Sequence, residues 1–435
     1  MRILNSFLKS DLIKSGFVYI FSEAINKLVL FILLPILSVH LSPAEYGLLA
    51  NFQVLILILT VLVGLNMTGI ISVEFYRSAK EKLSNLINNI LSILIISIGV
   101  FLLIVALLQS YLYSVTGIPS LLIYSVVIIC GAQAIVQIRL EFWRLENKAV
   151  VYGVFYTTQS VIISLLTLYL VIWTDLGWQG GALAIAIGQV LFMIIALISL
   201  WRNGWINGKI EFQHTKSILS FGIPLIPHSL SFWMRNGLDR LLMTSFFDAK
   251  HTGLYSVGAQ LAAPLQMVAF AMNKAYSPTL FKMLENKDEE SKRKIVKMIW
   301  GVLGITLVLT IIIEFLLPII VGWLLDARYR KSFDYFYWIN ISYFFSTVYF
   351  LIGNFIFYFK KTHLLTYVTF GTSLLHVLLT IIALKYIGPI GVAITTLFTS
   401  IIVATLTIYV VNSICKMPWF YFWRSSKIKK EEYCI

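Results

Sequence analysis

The feature that most limits this chain is an apolar run that never alternates. The stretch "NILSILIISIGVFLLIVALL", from Asn89 to Leu108, carries no charge along its whole length. Wound as an α-helix at about 1.5 Å per residue, a run of about 20 residues spans the roughly 30 Å hydrocarbon core of a bilayer. A membrane β-barrel would instead show segments of about ten residues with apolar and polar positions alternating. Similar runs recur from one end of the chain to the other. They predict helices near 17–39, 46–67, 86–108, 120–138, 151–173, 181–201, 218–246, 254–273, 299–323, 335–359, 364–384 and 389–411. The expected fold is therefore an all-α integral membrane protein with about twelve transmembrane helices. Composition agrees: 59% of 435 residues are hydrophobic and 12% are charged, whereas soluble domains hold about 45–50% apolar and about 25% charged residues. Those proportions exclude a soluble enzyme, a disordered chain and a small secreted module. The first run follows Arg2, Lys9 and Lys14, is long for a signal-peptide core and lacks a small-residue cleavage site, so it reads as a retained span.

A formal net charge of +14 would suggest nucleic acid in a soluble chain. Here the cations mark topology, because Lys and Arg collect in cytoplasmic loops. Arg77, Lys80 and Lys82, then Arg139, Arg144 and Lys148, then Arg202, Lys209 and Lys216 fall in alternate loops. The richest segment is 274–298, with "ENKDEESKRKIVK", and a further basic group closes the chain. The opposite side holds Lys250, Arg328, Arg330, Lys331 and Lys385. Both termini are expected in the cytoplasm, with no nucleic-acid partner. Segment 274–298 reads as a solvated cytoplasmic helix, with anionic-lipid contact as its alternative role. The C-terminal "MPWFYFWR" reads as an interfacial aromatic anchor.

The chain repeats itself. "LSPAEYGLLA" aligns with "FDAKHTGLYS", bringing Gly47 onto Gly253 and Phe75 onto Phe281 at an offset of 206. Later, "DLGWQGGALAIAIG" aligns with "KYIGPIGVAITTLF", bringing Gly177 onto Gly388 and Gly180 onto Gly391 at an offset of 211. An offset of six spans preserves topology. The halves are then parallel repeats, two six-helix lobes at 1–212 and 213–435 with a substrate path between them, as in transporters.

Ionisable residues inside spans are costly and are functional candidates. The first span holds Glu23 and Lys27, four apart on one helix face, with Asn26 beside them. The seventh holds Arg235 and Asp239, again four apart, with Asn236 and Arg240 adjacent. The 206 offset carries Lys27 to position 233, within two residues of Arg235. Two readings stand: each pair neutralises itself so that its helix inserts, or the cations of both halves face a cleft and attract an anionic head group, Arg through bidentate donors. Glu314 in the ninth span is a candidate for ion coupling or for structural pairing. His228 and His376 read as packing residues. Pro35, Pro224, Pro227, Pro264 and Pro318 can kink spans. No phosphate-binding G-x-x-x-x-G-K-[ST] loop, no H-E-x-x-H and no zinc-spaced Cys/His cluster occurs. Neither a catalytic residue, a metal nor a cofactor is expected.

These segments carry a resemblance. "LPILSVHLSPAEYGLLA" from Leu34, "FGIPLIPHSLSFWMRNGLDRLLM" from Phe221 and "TGLYSVGAQLAAPL" from Thr252 resemble the polysaccharide-transport family. The chain looks like a Wzx-type O-antigen flippase of the multidrug/oligosaccharidyl-lipid/polysaccharide exporter superfamily. The resemblance implies a multidrug-exporter-like fold in the bacterial inner membrane and no enzymatic step. It implies that an undecaprenyl-diphosphate-linked oligosaccharide is flipped to the periplasmic leaflet by alternating access, coupled to an H+ or Na+ gradient. Membrane lipids and O-antigen assembly proteins such as the polymerase are the implied partners. The family's "DR" after the Pro-rich start of the seventh span is present as Asp239 and Arg240; Lys27, Arg235 and Glu314 carry over by location only. Two competing readings are a multidrug or organic-cation exporter of the same superfamily, and a membrane glycan polymerase or acyltransferase. The latter needs a sizeable outward loop, and the outward loops here are short.

Overall fold

The structure is a computed structural model that describes residues 11–286 and 288–419, without the side chains of 11–17, 20, 228, 236 and 362. The described residues are helical, with no strand among them. In chain order the helices are α1 (Asp11–His40), α2 (Pro43–Gly64), α3 (Thr68–Glu74), α4 (Lys80–Thr116), α5 (Ser120–Leu145), α6 (Ala149–Ile172), α7 (Gly177–Arg202), α8 (Phe212–Gly222), α9 (Ile226–Asn236), α10 (Leu238–Phe246), α11 (Ala249–Glu285), α12 (Glu289–Leu324), α13 (Ser332–Tyr358), α14 (Thr362–Tyr386) and α15 (Gly391–Ile414). Among the described residues, 11 helices are long and apolar enough to cross a membrane. The basic terminal residues Arg2, Lys9, Arg424, Lys427, Lys429 and Lys430 lie outside the described residues.

The apolar runs become lipid-facing stripes. On α4, Ile96, Val100, Leu103, Leu107 and Tyr111 are all exposed, spaced four, three, four and four apart. That spacing puts them on one face. Leu86, Ile87, Ile90, Leu94 and Ser97 are buried on the other side. The helix stops at Gly117, whose positive φ of 71° lets its N–H turn back to the Tyr113 carbonyl.

The chain divides into two compact units, residues 1–253 and 254–435. In the first, α6 packs on α7, α5 on α7, α4 on α5 and α1 on α6. In the second, α14 packs on α15, α13 on α15 and α12 on α13. The neighbour pattern of α4 to α7 thus recurs in α12 to α15. Gly177, which opens α7, and Gly388, just before α15, both carry positive φ. A Cβ on Gly180 would lie 2.7 Å from the Leu170 carbonyl oxygen, and one on Gly391 would lie 2.9 Å from that of Ala383. Both repeats therefore close their final hairpin through a glycine set tightly against the preceding helix. The repeat arithmetic divides the chain after residue 212, whereas the packing divides it after Gly253. The difference arises because α8 to α10 pack on α2 and α4.

The other repeat block is a reciprocal contact inside the first unit. A Cβ on Gly47 would lie 1.8 Å from the Ala249 carbonyl oxygen, and one on Gly253 would lie 1.8 Å from the Pro43 carbonyl oxygen. Pro43 and Ala249 are 206 apart, as are Gly47 and Gly253. Each repeat presents a first-turn carbonyl to the other's glycine, which is the signature of a local pseudo-two-fold. Both helix starts are capped at matching positions. Ser42 and Glu45 form a reciprocal capping box at α2. Asp248, 206 residues later, accepts from the His251 N–H at 2.8 Å and contacts the His251 ring Nδ1 at 2.8 Å. Partial burial raises the Asp248 carboxyl, but the His251 contacts outweigh it and hold the group below its ordinary value. The cap's contribution is thus present above the unfolded carboxylate pKa, about 3.9, and is lost as pH falls through the lower folded value.

Two expectations change. The seventh run, 218–246, is not one helix but α8, a 3-10 turn at Ile223–Leu225, α9 and α10. Pro224 and Pro227 supply no N–H, and Gly222 and Gly237 stand at the breaks. Segment 274–298 is not a separate helix. Its charges extend α11 to Glu285 and begin α12 at Glu289, with Glu289–Lys292 at 2.9 Å and Glu290–Lys294 at 2.6 Å stabilising the first turns. The connection from α7 to α8 is tied to α4: the Lys209 N–H donates to Asn85 Oδ1 (2.7 Å) and the Glu211 N–H to Asn89 Oδ1 (3.1 Å). Of the C-terminal aromatic segment, Trp419 is described; Trp300 Nε1 on α12 donates to its carbonyl at 2.9 Å.

Backbone carbonyls cannot move aside as side chains can. Gly47→Ala and Gly253→Ala are each expected to destabilise the detergent-solubilised protein by about 1–3 kcal/mol, read as a lower apparent Tm by heated size-exclusion chromatography. Gly99→Ala is the control, because nothing lies within 4 Å of its Cβ position. It should be neutral or stabilising by up to about 1 kcal/mol.

Candidate functional site

The first cluster sits on α1. Asn26 is buried, while Glu23 and Lys27 are exposed. The helix packs on α6, where Gly153 lets the Ser22 side chain approach: a Cβ there would lie 2.6 Å from Ser22 Oγ. Tyr19 meets Tyr152 edge-on at 4.9 Å, and Tyr152 lies 5.9 Å from Tyr156. The Tyr152 and Tyr156 hydroxyls feel the Glu23 charge, and both polar atoms of the buried Asn26 amide lack a hydrogen-bond partner among the described residues. This face of α1 therefore brings phenols, an amide and two side chains of opposite charge together.

The second cluster flanks the break at Gly237. Arg235 lies in the last turn of α9 and Asp239 in the first turn of α10. Their spacing of four does not place them on one helix, because α9 ends at Asn236 and α10 begins at Leu238. Instead a cation stands at a helix C-terminus and a carboxylate at a helix N-terminus, each on the favourable end of a helix dipole. Asp239 is buried and Arg240 half-buried. The Arg240 guanidinium acts on the Tyr46 hydroxyl of α2. Asn236 closes α9; its side chain is outside the described set. Glu23, Lys27, Arg235, Asp239 and Arg240 all have interaction partners.

Two helix breaks face each other nearby. α2 ends at Gly64, and Leu65 and Asn66 take positive φ of 47° and 51° before α3 begins. Opposite, Gly222 at the start of the α8–α9 break comes so close that a Cβ would lie 2.1 Å from the Leu65 carbonyl oxygen. Ser229 Oγ donates to Asn66 Oδ1 at 3.2 Å. Backbone freed from helical bonding is tolerated at membrane depth only where protein covers it or a cavity is lined by it.

Asparagines that the sequence reading did not single out hold this region. Asn51 is fully buried; its Nδ2 donates to the Thr116 carbonyl at 3.0 Å and to Thr244 Oγ1 at 2.7 Å. Thr244 in turn meets Thr252 at 2.7 Å, and Thr252 Oγ1 donates to the Arg240 carbonyl at 3.2 Å. One chain of hydrogen bonds thus links α2, the end of α4, α10 and the first turn of α11. Glu314 stands apart in the second unit, on α12, where Asn340 of α13 donates to it. His376 pairs with Thr399 at 3.0 Å, a packing contact between α14 and α15. An asparagine in a largely apolar window, such as Asn51 in "GLLANFQVL" or Asn340 in "YWINISYFF", was the available signal.

With this geometry in hand, known proteins can be set beside the chain. The sequence profile of a family described as polysaccharide biosynthesis protein matches residues 12–284. A MatE profile matches residues 224–382. A Haemophilus influenzae relative described as Lsg locus putative protein 1 is 27% identical over 393 residues, covering 87% of this chain and 94% of the relative. The inward-facing conformation of a multidrug resistance MATE family transporter of the MOP superfamily aligns with a TM-score of 0.74 at 13% identity, covering 89% of this chain and 93% of that one. The inward closed conformation of the lipid II flippase MurJ aligns with a TM-score of 0.72 at 16% identity, covering 92% and 87%. At such identities the two structures show a shared fold alone, that of a multi-pass, all-helical membrane protein.

Asn51 and Thr244 should behave as one unit. Asn51→Ala and Thr244→Val are each expected to lower the apparent Tm, and the double variant should lose less than the sum, with a coupling of about 0.5–1 kcal/mol. A double-mutant cycle by thermal unfolding in detergent checks this; additive losses would remove the bond from the account.

Proposed function

The chain belongs to the polysaccharide biosynthesis protein family, and from that membership we propose that it flips a lipid-linked oligosaccharide. The cargo is an O-antigen repeat unit on undecaprenyl diphosphate, moved from the cytoplasmic to the periplasmic leaflet of a bacterial inner membrane. The lobes 1–212 and 213–435 alternate access to a path between them, both termini are cytoplasmic, and an ion gradient drives an antiport cycle. A polymerase then consumes the flipped unit. The observation that carries this reading is the family match over residues 12–284, which includes both cation-bearing segments, Lys27 on α1 and Arg235 on α9.

The physics is consistent with that cargo. A sugar head group cannot cross hydrocarbon with its hydroxyls unsatisfied, so it needs a polar path while its lipid tail stays in the bilayer. The diphosphate carries about two negative charges. An inside-negative potential favours its outward movement by about 2.3 kcal/mol per charge per 100 mV. In this reading Lys27, Arg235 and Arg240, with Asn26 and Asn236, receive the diphosphate or head group, while Glu23 and Asp239 balance their charge between cycles.

The MatE match over residues 224–382 favours a second reading, export of organic cations. Such a cargo calls for acidic and aromatic groups in place of lumen cations. Loss of resistance to organic cations in a deletion strain, with surface glycan intact, would support it.

Lys27→Ala and Arg235→Ala are expected to reduce surface O-antigen about tenfold or more, as loss of a charged hydrogen bond worth about 1.5–3 kcal/mol implies. Membrane insertion should stay normal. Arg235→Lys should be milder, since it keeps the charge and loses only the bidentate fork. Silver-stained lipopolysaccharide gels read the outcome, and wild-type ladders in both alanine variants would rule out a role for these cations.

A further inference from the structure

We propose that Glu314, with Asn340 and Thr310, forms an exchangeable site for a monovalent cation, a proton or Na+, in the second unit. Three observations carry it. The first is depth: Glu314 lies ten residues, about 15 Å at 1.5 Å per residue, from the end of α12 at Leu324, roughly half the hydrocarbon thickness. The second is the lack of a countercharge. Among the described residues, Asn340 Nδ2 is the group that bonds the carboxylate, at 2.5 Å, and no Lys, Arg or His pairs with it. The third is an orphan acceptor. Asn340 is 0% exposed, and its Nδ2 also donates to the Thr310 carbonyl at 3.1 Å, yet its Oδ1 has no hydrogen-bond partner.

The surroundings make this a site and not a buried ion pair. An open apolar groove of about 200 Å³ runs beside Glu314, lined also by Leu307, Thr310, Ile311, Phe315, Ile341 and Phe344. None of those six titrates. A bare carboxylate beside such a lining is costly, and one amide donor does not compensate it. A proton on Glu314 removes the charge. Na+ would do the same if the Asn340 amide turned over, so that its Oδ1, which has no partner now among the described residues, took the place of Nδ2 opposite the carboxylate and the Thr310 carbonyl. Because α12 and α13 each supply part of the site, occupancy bears on how these two helices pack. The inference concerns binding and holds whatever the cargo.

The test uses the full-length purified protein in liposomes with dicyclohexylcarbodiimide, an apolar reagent that adds to protonated carboxyls in hydrophobic surroundings. Peptide mass spectrometry should find the adduct on the peptide containing Glu314 and its loss in Glu314→Gln, which should elute as the wild type does on size exclusion. Labelling that falls with rising pH, with Na+ no different from choline, identifies a proton site. Protection by Na+ over choline at one pH identifies a sodium site. Asn340→Leu should shift the pH or Na+ midpoint of labelling, a change that a purely structural Asn340 would not produce. An unlabelled Glu314 at every pH without Na+, or labelling insensitive to both pH and Na+, overturns the proposal. Surface glycan in Glu314→Gln is scored separately, so a wrong cargo and an absent cation site give different results.

Discussion

Everything in this structure follows from one rule: hydrocarbon offers nothing to a free N–H or carbonyl. The described residues meet the rule with helices alone. Where α2 departs from continuous helix, it does so against another part of the protein. Leu65 and Asn66 leave the α2 ladder beside Gly222, and Ser97 Oγ donates to the Val63 carbonyl at 2.9 Å. The same rule explains the buried asparagines. Asn51 and Asn340 each donate to a main-chain carbonyl of a neighbouring helix, so each ties two spans by a bond that water does not compete for.

The repeat is most informative where its two copies touch. Ser42–Gly47 and Asp248–Gly253 share the same order of cap, partner and glycine, yet the cap chemistry differs. In the first copy a hydroxyl cap is answered by Glu45, and in the second the carboxylate of Asp248 is answered by His251. What both retain is glycine at the position that meets the other copy's carbonyl. A helix start can be capped in several ways, but no other residue lets a foreign backbone oxygen approach this closely.

Much of this was legible in sequence, and for physical reasons. Length and lack of charge determine a spanning helix, so most of the apolar runs correspond to helices of similar bounds. The glycine alignments were legible because glycine is irreplaceable at close approaches. The seventh run misled because its apolar content satisfies a span's composition while Pro224, Pro227 and Gly237 break its hydrogen bonding. The charged segment 274–298 misled in the opposite way: polarity marks solvent, not the end of a helix, and i,i+3 and i,i+4 pairs support the first turns of α12 within that charged stretch. The network through Asn51 was out of reach, since its bonds join residues 65 and 193 positions apart.

The break at Gly237 bears on how a flippase could hold an anion and still release it. On one continuous helix, Arg235 and Asp239 would form a permanent i,i+4 pair. Split across two helix ends, each is stabilised by the dipole of its own helix, and their separation depends on the angle between α9 and α10. Arg235, Asp239 and Arg240 are all engaged in the present conformation. In the proposed role, a diphosphate arriving there would exchange partners and not meet bare charge, so its net binding would be much smaller than a raw Coulomb sum. Weak net binding suits transport. A site that only lowers the barrier leaves the membrane potential free to set direction, whereas a deep electrostatic well would trap the cargo halfway.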